Sequence, residues 1–226
     1  MNDPNTPIDF SWSKPEVVAH FSTSPPNTSL IKFADVELRK RQGSRLLDIG
    51  CGAGSNAVPL AKMGWNVLGL DLSQPMLDAL AQRVRIENLT PRLRVEHALM
   101  TRLSAADQSI DLIVAHGIWN LARSGTEFRQ AIAEAARVSR SNAGLFVYTF
   151  SRTTLPISAK PVSGESFVFR QFSDSPQCFL TEAQLIEELE TVGFAPEPNL
   201  PIKEFSLSTM PEDHKPVIYE GVFRRR

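Results

Sequence analysis

Three glycines and two aspartates lie at spacings that suit a polar, hydroxylated ligand. Gly50, Gly52 and Gly54 alternate along the segment LLDIGCGAGSNA, Asp48 precedes them, and Asp71 ends the next apolar stretch. Glycine permits a tight turn and a close approach of the backbone, so that free N–H groups can reach a ligand. An ionised carboxylate such as Asp71 offers two oxygen acceptors to a vicinal diol. The pattern therefore indicates a site for a nucleoside-like ligand.

His116 is a candidate of a second kind, because it follows a predicted strand at the edge where parallel sheets bind ligands. Histidine titrates near neutral pH, so His116 is our catalytic candidate, as a general base or as a group that orients the substrate. A histidine satisfied by the backbone is an equally good interpretation. Just beyond it, Trp119 and Asn120 are candidate substrate contacts, and Trp119 could equally pack in the core.

Strands and helices alternate through the middle of the chain. Apolar stretches predict strands, and amphipathic stretches predict helices between them. In chain order, the predicted strands cover 45–49, 66–72, 93–98, 109–117 and 144–150, and the predicted helices cover 55–63, 73–86 and 126–140. Parallel strands need crossover connections, and helices in those crossovers cover both faces of the sheet. The alternation thus predicts an α/β fold with a doubly wound, mostly parallel sheet.

The segment before this alternation predicts two helices. Ser13 and Glu16 form a capping-box pattern that predicts a short helix at 15–21, and the apolar spacing at 29–41 fits a second helix.

Residues 151–178 interrupt the alternation after the fifth strand. Period-two apolar residues at 165–172 predict a strand or hairpin there. Phe167 and Phe169 are candidate substrate contacts, and the buried face of the hairpin is the favoured alternative for them. After this insert, Thr181 and Gln184 predict a capped helix, and two further strands close the chain at 202–208 and 216–224.

The composition limits the classes of partner. The 226-residue chain has 42% hydrophobic residues, and its 24 basic and 25 acidic residues nearly cancel, so it lacks the positive field of nucleic-acid-binding proteins. We expect no nucleic-acid partner and interpret the closing arginines, 224–226, as a solvated tail. No apolar stretch approaches the roughly 20 residues that span a bilayer. We therefore expect a cytoplasmic protein with no membrane partner.

The two cysteines, Cys51 and Cys178, are far apart and belong to no Cys/His cluster. This excludes a disulfide framework and predicts no metal site. Cys51 lies within the glycine loop, where we interpret it as a small space-filling residue.

The glycine run resembles motif I of the class I S-adenosylmethionine-dependent methyltransferases. Ser55 stands where the dinucleotide-binding fingerprint Gly-x-Gly-x-x-Gly has its last glycine. The segments LDLSQPML, SIDLIVAHG and FLTEAQLIEELETVGF are similar to later parts of the family pattern, and GAGSNAVPLA resembles its small-molecule branch. The resemblance covers residues 45–150 and, less closely, 178–224.

The resemblance implies a Rossmann-like, seven-stranded sheet with an antiparallel last strand and a single methyltransferase domain over 1–226. Residues 1–44 would form a helical lid, and 151–178 would belong to the substrate region. The cofactor would be S-adenosyl-L-methionine, with S-adenosyl-L-homocysteine as product, and the partner a small-molecule acceptor of a monomer or homodimer.

The resemblance also assigns roles to residues. The loop N–H groups would bind the methionine carboxylate, Asp48 would order the loop and attract the ammonium, and Asp71 would bind both ribose hydroxyls. His97 stands where relatives have an acid beside the adenine. The cofactor-binding candidates are Asp48, Gly50, Cys51, Gly52, Gly54, Asn56, Asp71, Leu72, Met76, Ala98, Leu99, Met100, Ala115 and His116. The substrate candidates are Trp12, Phe21, Trp119, Asn120, Phe167 and Phe169.

Other functions remain as alternatives at this point. A methyltransferase acting on RNA or protein is disfavoured by the near-neutral charge and the compact insert. A non-catalytic S-adenosylmethionine-binding protein would have the same loop. A nicotinamide-dependent dehydrogenase is more distant, because Ser55 breaks its fingerprint. The acceptor atom, whether O, N, S or C, is left open.

Overall fold

The computed structural model describes residues 10–40, 44–170, 175–207 and 215–226. The strands are β1 (Arg45–Ile49), β2 (Asn66–Asp71), β3 (Leu93–His97), β4 (Ile110–His116), β5 (Ser139–Phe150), β6 (Val168–Phe169), β7 (Gln177–Cys178), β8 (Phe194–Pro196), β9 (Lys203–Ser206) and β10 (Val217–Arg225). The helices are α1 (Pro15–Thr23), α2 (Thr28–Lys40), α3 (Ala57–Met63), α4 (Gln74–Ile86), α5 (Gly125–Val138) and α6 (Glu182–Thr191).

The main sheet has the order β3-β2-β1-β4-β5-β10-β8, and β9 also pairs with β10. The first five strands are parallel, and β10 runs antiparallel to its neighbours β5, β8 and β9. Strands β8 and β9 pair with opposite ends of β10, so together they occupy the seventh position. The predicted Rossmann-like sheet is confirmed, and β8 is an additional short strand that the sequence pattern did not indicate.

Helices cover both faces of the sheet, as the alternation predicts. On one face, α2, α3 and α4 pack with buried side chains such as Leu46, Val114 and Phe146. On the other face, α5 and α6 pack with side chains such as Ile113 and Leu145. The carboxyl ends of the parallel strands therefore meet along one edge, which is where α/β sheets bind ligands.

The start of α1 differs from the predicted capping box. Lys14 is the N-cap residue, and no side chain caps the helix. The hydroxyl of Ser13 instead lies 3.1 Å from the hydroxyl of Ser73, which caps α4. Ser13 thus joins the N-terminal segment to the loop after β2 because tertiary contact outweighs a local cap.

The predicted hairpin in the insert is present in a shortened form. Strands β6 and β7 form a two-residue antiparallel pair, Val168 with Cys178 and Phe169 with Gln177. Positions 171 and 172 of the predicted strand lie outside the described residues.

The interpretation of the closing arginines as a solvated tail is wrong. Arg224 donates to Glu37 at 2.6 and 3.0 Å and to Glu197 at 2.5 and 2.8 Å. The guanidinium of Arg225 lies over the Phe194 ring. The arginines are held because β10 continues to Arg225 between β5 and β8, so the end of the chain is part of the sheet.

The described residues include no helix long and apolar enough to cross a bilayer. Within the same ranges no group of three or more His, Cys, Asp or Glu side chains is arranged to hold a metal ion.

Candidate functional site

The glycine loop between β1 and α3 is held by hydrogen bonds to the end of β2. The N–H groups of Gly50 and Cys51 donate to the carbonyl of Leu70 at 2.7 and 2.9 Å. The N–H of Gly52 donates to Asp71 Oδ2 at 2.8 Å. These three N–H groups are bonded within the protein rather than free for a ligand carboxylate, and they hold the loop to the strand that ends in Asp71.

The three loop glycines all have positive φ, in the region that side chains disfavour. They differ in what surrounds them. A Cβ atom on Gly54 would collide with the Leu80 side chain, whereas the nearest atom to a Cβ on Gly52 is the sulfur of Met76, at 4.0 Å. Gly54 is therefore needed for packing, and Gly52 lies on a side of the loop that is open to a ligand.

Asp71 accepts a backbone hydrogen bond on each of its carboxylate oxygens. Besides the Gly52 N–H on Oδ2, the N–H of Ser73 donates to Oδ1 at 2.8 Å. A carboxylate has about four acceptor sites, so each oxygen keeps capacity for a ligand hydroxyl. Asp71 orders the loop, a role that the sequence analysis assigned to Asp48.

Asp48 is buried beneath the loop, and its Oδ2 atom has no hydrogen-bond partner. Burial, and to a lesser degree the nearby charge of Asp71, raises the pKa of Asp48 to about 8. A buried carboxyl group without a partner is costly, and a cation placed beside it would satisfy it. The residues therefore fit a ligand that brings a positively charged group under the glycine loop.

The loops after β2 and β3 form the next part of the site. His97 Nε2–H donates to the carbonyl of Leu72 at 3.0 Å, and the N–H of Ala98 donates to the carbonyl of Asp71 at 3.1 Å. The Leu99 side chain is 46% exposed. His97 is thus engaged with the backbone, and an apolar side chain borders the site beside it.

His116 lies at the end of β4 and stacks on Tyr148 of β5, with ring centroids 4.1 Å apart and planes 13° from parallel. Its Nε2 atom is 3.4 Å from the Asn27 amide nitrogen, which also donates to Glu220 Oε2 at 2.9 Å. Burial lowers the pKa of His116 to about 4, although the charge of Glu220 opposes this. His116 is therefore neutral at physiological pH and is a weak base.

Comparisons with known proteins agree with this geometry. Residues 46–142 match a family described as "Methyltransferase domain". The chain is 27% identical over 176 residues to demethylmenaquinone methyltransferase of Lactobacillus johnsonii, covering 70% of each protein. It is 27% identical over 149 residues to the ubiquinone biosynthesis O-methyltransferase of Sinorhizobium medicae, covering 65% of this chain and 53% of that protein.

Solved structures show the same fold. An S-adenosylmethionine-dependent methyltransferase from Methanosarcina mazei superimposes with a TM-score of 0.68 at 21% identity, over 82% of this chain and 93% of the other. The chain is similar to the class I S-adenosylmethionine-dependent methyltransferases, in sequence over residues 46–142 and in fold. Its cofactor is S-adenosylmethionine, and the curated relatives named above are small-molecule enzymes. The resemblance found in the sequence is confirmed.

Several predicted contacts of this methyltransferase pack inside the protein instead. The ring of Phe167 lies edge-on to Phe128, and the ring of Phe169 lies edge-on to Phe179, all within hydrophobic clusters. Trp119 is also fully buried against Phe128. Burial favours the alternative interpretation of each: Phe167 and Phe169 form the buried side of the insert, and Trp119 packs in the core after β4.

Four further predicted residues are enclosed by the methyltransferase fold. The side chain of Ala115 is in the core, and the carbonyl oxygen of the Asn56 side chain accepts a hydrogen bond from the N–H of Asn27 at 2.9 Å. Asn120 is buried, with Oδ1 unpartnered. Burial also raises the pKa of the Cys51 thiol, whose sulfur packs against Gly69. These positions favour structural roles for Ala115, Asn56 and Cys51.

Trp12 and Phe21 lie on the N-terminal segment, beside the loop that follows β2. Their rings are in edge contact at 5.6 Å. The Trp12 carbonyl accepts a hydrogen bond from the hydroxyl of Ser73 at 3.4 Å, and Ser73 also binds Asp71. The N-terminal segment therefore packs directly beside the Asp71 loop, where Met76 is buried and Met100 is half-buried.

Sequence reasoning missed Asn27, Tyr148 and Glu220 as members of the site. Tyr148 lies in a predicted strand, and its sequence context alone does not mark it as a site residue. One signal was present for Glu220, since it is an acid in an otherwise apolar strand, PVIYEGVF. Such a residue needs a partner when the strand is buried. No local pattern identifies Asn27.

Alanine substitutions at Gly52 and Gly54 are expected to have different effects, one mainly on ligand binding and the other mainly on stability. Gly52→Ala should cost about 1–2 kcal/mol for its positive φ, keep the fold, and weaken S-adenosylhomocysteine binding because the new methyl group fills the open side of the loop. Gly54→Ala should lower stability further, since it adds a collision with Leu80. Urea unfolding and calorimetric titration measure the two effects. Equal binding by Gly52→Ala and the parent would contradict this assignment of the loop.

Proposed function

We propose that this methyltransferase transfers a methyl group from S-adenosylmethionine to a hydroxyl-bearing, planar ring of a small molecule. The observation that carries the proposal is the stacked pair of His116 and Tyr148 at the carboxyl ends of β4 and β5, beside the glycine loop. A flat aromatic and polar surface favours stacking of another ring. The relatives named above act on demethylmenaquinone or in ubiquinone biosynthesis, and this supports the same class of acceptor.

The cofactor would be held by the groups on both sides of the glycine loop. Asp48 would pair with its ammonium, the open side of the loop at Gly52 would receive its methionine part, and Asp71 would accept its ribose hydroxyls. Leu99 and Met76 would border the adenine. When bound, S-adenosylmethionine supplies an electrophilic methyl group on a sulfonium.

The protein's own contribution is to position the acceptor and to exclude water. The rings of His116 and Tyr148 would fix the plane of the acceptor, and Trp12 and Phe21 would cover the site from the N-terminal segment. Holding two reactants in line can supply on the order of 7–11 kcal/mol of the barrier. Because His116 has a pKa of about 4, its role would be to orient the acceptor through a hydrogen bond and not to remove its proton.

His116→Ala is expected to lower kcat by roughly tenfold or more, as loss of a well-placed hydrogen bond does, while the Kd for S-adenosylhomocysteine stays within a factor of two to three. The reason is that His116 faces the acceptor side and Asp71 faces the cofactor. Steady-state kinetics and calorimetry measure both quantities, with Asp71→Ala as the comparison. A loss of cofactor affinity as large as that of Asp71→Ala would contradict the assignment.

A thermal unfolding series tests the cofactor first. S-adenosylmethionine and S-adenosylhomocysteine are expected to raise Tm, and NADH is not; ligand at 100 times its Kd stabilises by about 2.7 kcal/mol. Turnover is then assayed with a panel of phenols and quinols, each matched to its ring-methoxylated counterpart. Methylation of the hydroxylated compound alone supports the proposal. Binding without turnover of any acceptor would favour the non-catalytic alternative.

The N-terminal segment and the insert are the parts of the chain that would border the proposed acceptor site. We propose that the segment before α2, which includes α1, acts as the lid, and that the insert contributes to the acceptor side through its position after the carboxyl end of β5. Removal of the segment before α2 should raise KM for the acceptor more than Kd for the cofactor. Light scattering distinguishes a monomer from a homodimer.

A further inference from the structure

Asn27 uses all of its polar groups at the junction between the N-terminal segment and the site. Its backbone N–H donates to the side chain of Asn56, at the start of α3, at 2.9 Å. Its Oδ1 atom accepts the N–H of Leu30 at 2.9 Å and so caps α2. Its amide nitrogen donates to Glu220 at 2.9 Å and lies 3.4 Å from His116 Nε2. One residue therefore contacts the start of α3, the start of α2, β4 and β10.

The residues that Asn27 reaches belong to one row across the sheet. His116 pairs with Tyr148, Tyr148 pairs with Glu220, and Glu220 pairs with Lys203 on the neighbouring strands. Glu220 is buried, and Lys203 Nζ lies 3.6 Å from its carboxylate at the exposed edge. The row runs from the end of β4, near the glycine loop, to the edge strand β9. Asn27 contacts two members of the row, His116 and Glu220.

We propose that Asn27 is a positioning residue for methyl transfer, which holds His116 and Glu220 in one hydrogen-bonded unit and ties that unit to the cofactor loop. This inference rests on the proposed function, in which His116 orients the acceptor. The amide is suited to the task because it presents two N–H donors, one to a carboxylate and one to a neutral imidazole nitrogen. Asn27 acts through His116 and Glu220, so it is not itself a catalytic residue.

The hydrogen bond fixes the form of the imidazole ring. Since Asn27 donates to Nε2, the ring proton is on Nδ1, and His116 is held neutral in that tautomer. The charged or titratable groups that face His116 are Glu220 on β10 and Tyr148 on β5, with Lys203 behind Glu220. A carboxylate in place of the amide would attract a proton to the ring.

Two substitutions separate this role from the capping of α2. Asn27→Ser and Asn27→Asp both keep an N-cap oxygen for Leu30, and both residues are favoured at that position. Serine removes the donor to His116 and Glu220, and aspartate replaces it with an acceptor. The matched control is Asn66→Ser, since Asn66 has an exposed side chain that donates to Ser44 at the other end of the sheet.

The first readout is the NMR titration and the ring ¹⁵N shifts of His116 in the free protein. We expect Asn27→Ser to lose the preference for the Nδ1–H tautomer, and Asn27→Asp to raise the pKa of His116 by about one to three pH units. Asn66→Ser should match the parent. Unchanged ring shifts and an unchanged titration in both Asn27 variants would overturn the proposal.

The second readout is kinetic. Asn27→Ser is expected to lower kcat by roughly tenfold to a hundredfold, the effect of losing a hydrogen bond to a charged group, with less than a threefold change in Kd for S-adenosylhomocysteine. Parental kcat in Asn27→Ser would also overturn the proposal. If S-adenosylhomocysteine fails to stabilise the parent itself, the proposed function fails instead, and the His116 titration still decides the role of Asn27.

Discussion

Asp48→Asn is expected to abolish tight cofactor binding and, in the same variant, to make the free protein more stable above pH 6.5. Asparagine keeps the shape of the side chain and removes its charge. Without a carboxylate to pair with the ammonium, affinity should fall roughly tenfold to a hundredfold. Stability should rise because the variant lacks the carboxyl group whose ionisation in the unfolded state favours unfolding as the pH increases.

The sign of the stability effect follows from two opposing pKa changes. In the folded protein Asp48 keeps its proton up to about pH 8, whereas in the unfolded chain it loses the proton near pH 3.8. Its contribution to the free energy of unfolding therefore falls as the pH rises between these values. In the folded protein His116 stays neutral down to about pH 4, whereas in the unfolded chain it is protonated below about pH 6.5. Its contribution to the free energy of unfolding therefore rises with pH up to 6.5. Between pH 6.5 and 8 only the Asp48 effect remains, and it costs about 2 kcal/mol.

Urea unfolding of parent and variant at pH 6.5 and pH 8 measures this difference. The parent should lose stability over that interval, and Asp48→Asn should lose much less. Asp78→Asn is the control, since Asp78 lies on α4 and accepts a hydrogen bond from Gln74 in an exposed position. Equal slopes in parent and Asp48→Asn would show that Asp48 is ionised in the free protein.

The raised pKa of Asp48 also predicts that the protein releases a proton when it binds S-adenosylhomocysteine. If the ammonium of the ligand ionises Asp48, calorimetric titration at pH 7 should release about one proton per S-adenosylhomocysteine, seen as a dependence of the binding enthalpy on the buffer. The Asp48→Asn variant should show no such release. A parent enthalpy that is independent of the buffer would remove Asp48 from the binding site.

Arg224→Ala is expected to be the most destabilising change far from the site, costing about 3–5 kcal/mol, as removal of one partner of a buried ion pair does. The guanidinium joins Glu37 of α2 to Glu197 after β8, and the Glu37 side chain is only 2% exposed. Without Arg224, the buried carboxylate of Glu37 would lose two charged hydrogen bonds, and α2 would lose its ion-pair link to β10.

Two variants complete this test by urea unfolding. Glu37→Gln combined with Arg224→Met removes both charges and should recover much of the lost stability, because a buried carboxylate no longer has to be stabilised in place of the lost pair. Arg94→Ala removes a partner of the exposed pair Arg94–Glu96 and should cost less than about 1 kcal/mol. A cost for Arg224→Ala no larger than that of Arg94→Ala would contradict the structural role of the C-terminal arginine.

Local patterns in the sequence were enough to predict the sheet and the cofactor loop. Apolar strands alternating with amphipathic helices specify a doubly wound sheet, because each element must bury one face. The glycines at 50, 52 and 54 and the acid at 71 lie within a single strand–loop–helix–strand unit, so their proximity follows from short connections. The hairpin of the insert and the capped helix α6 were predictable for the same reason.

Only the tertiary structure decided which polar groups meet and how they are charged. Asn27 meets His116 and Glu220 across 89 and 193 positions, and Arg224 meets Glu37 across 187. Strand register and helix docking bring such residues together, and the local periodicity of the sequence predicts neither of them. Burial likewise decides that Asp48 holds its proton while His116 gives its proton up, since the cost of a buried charge depends on the surroundings and not on the residue type.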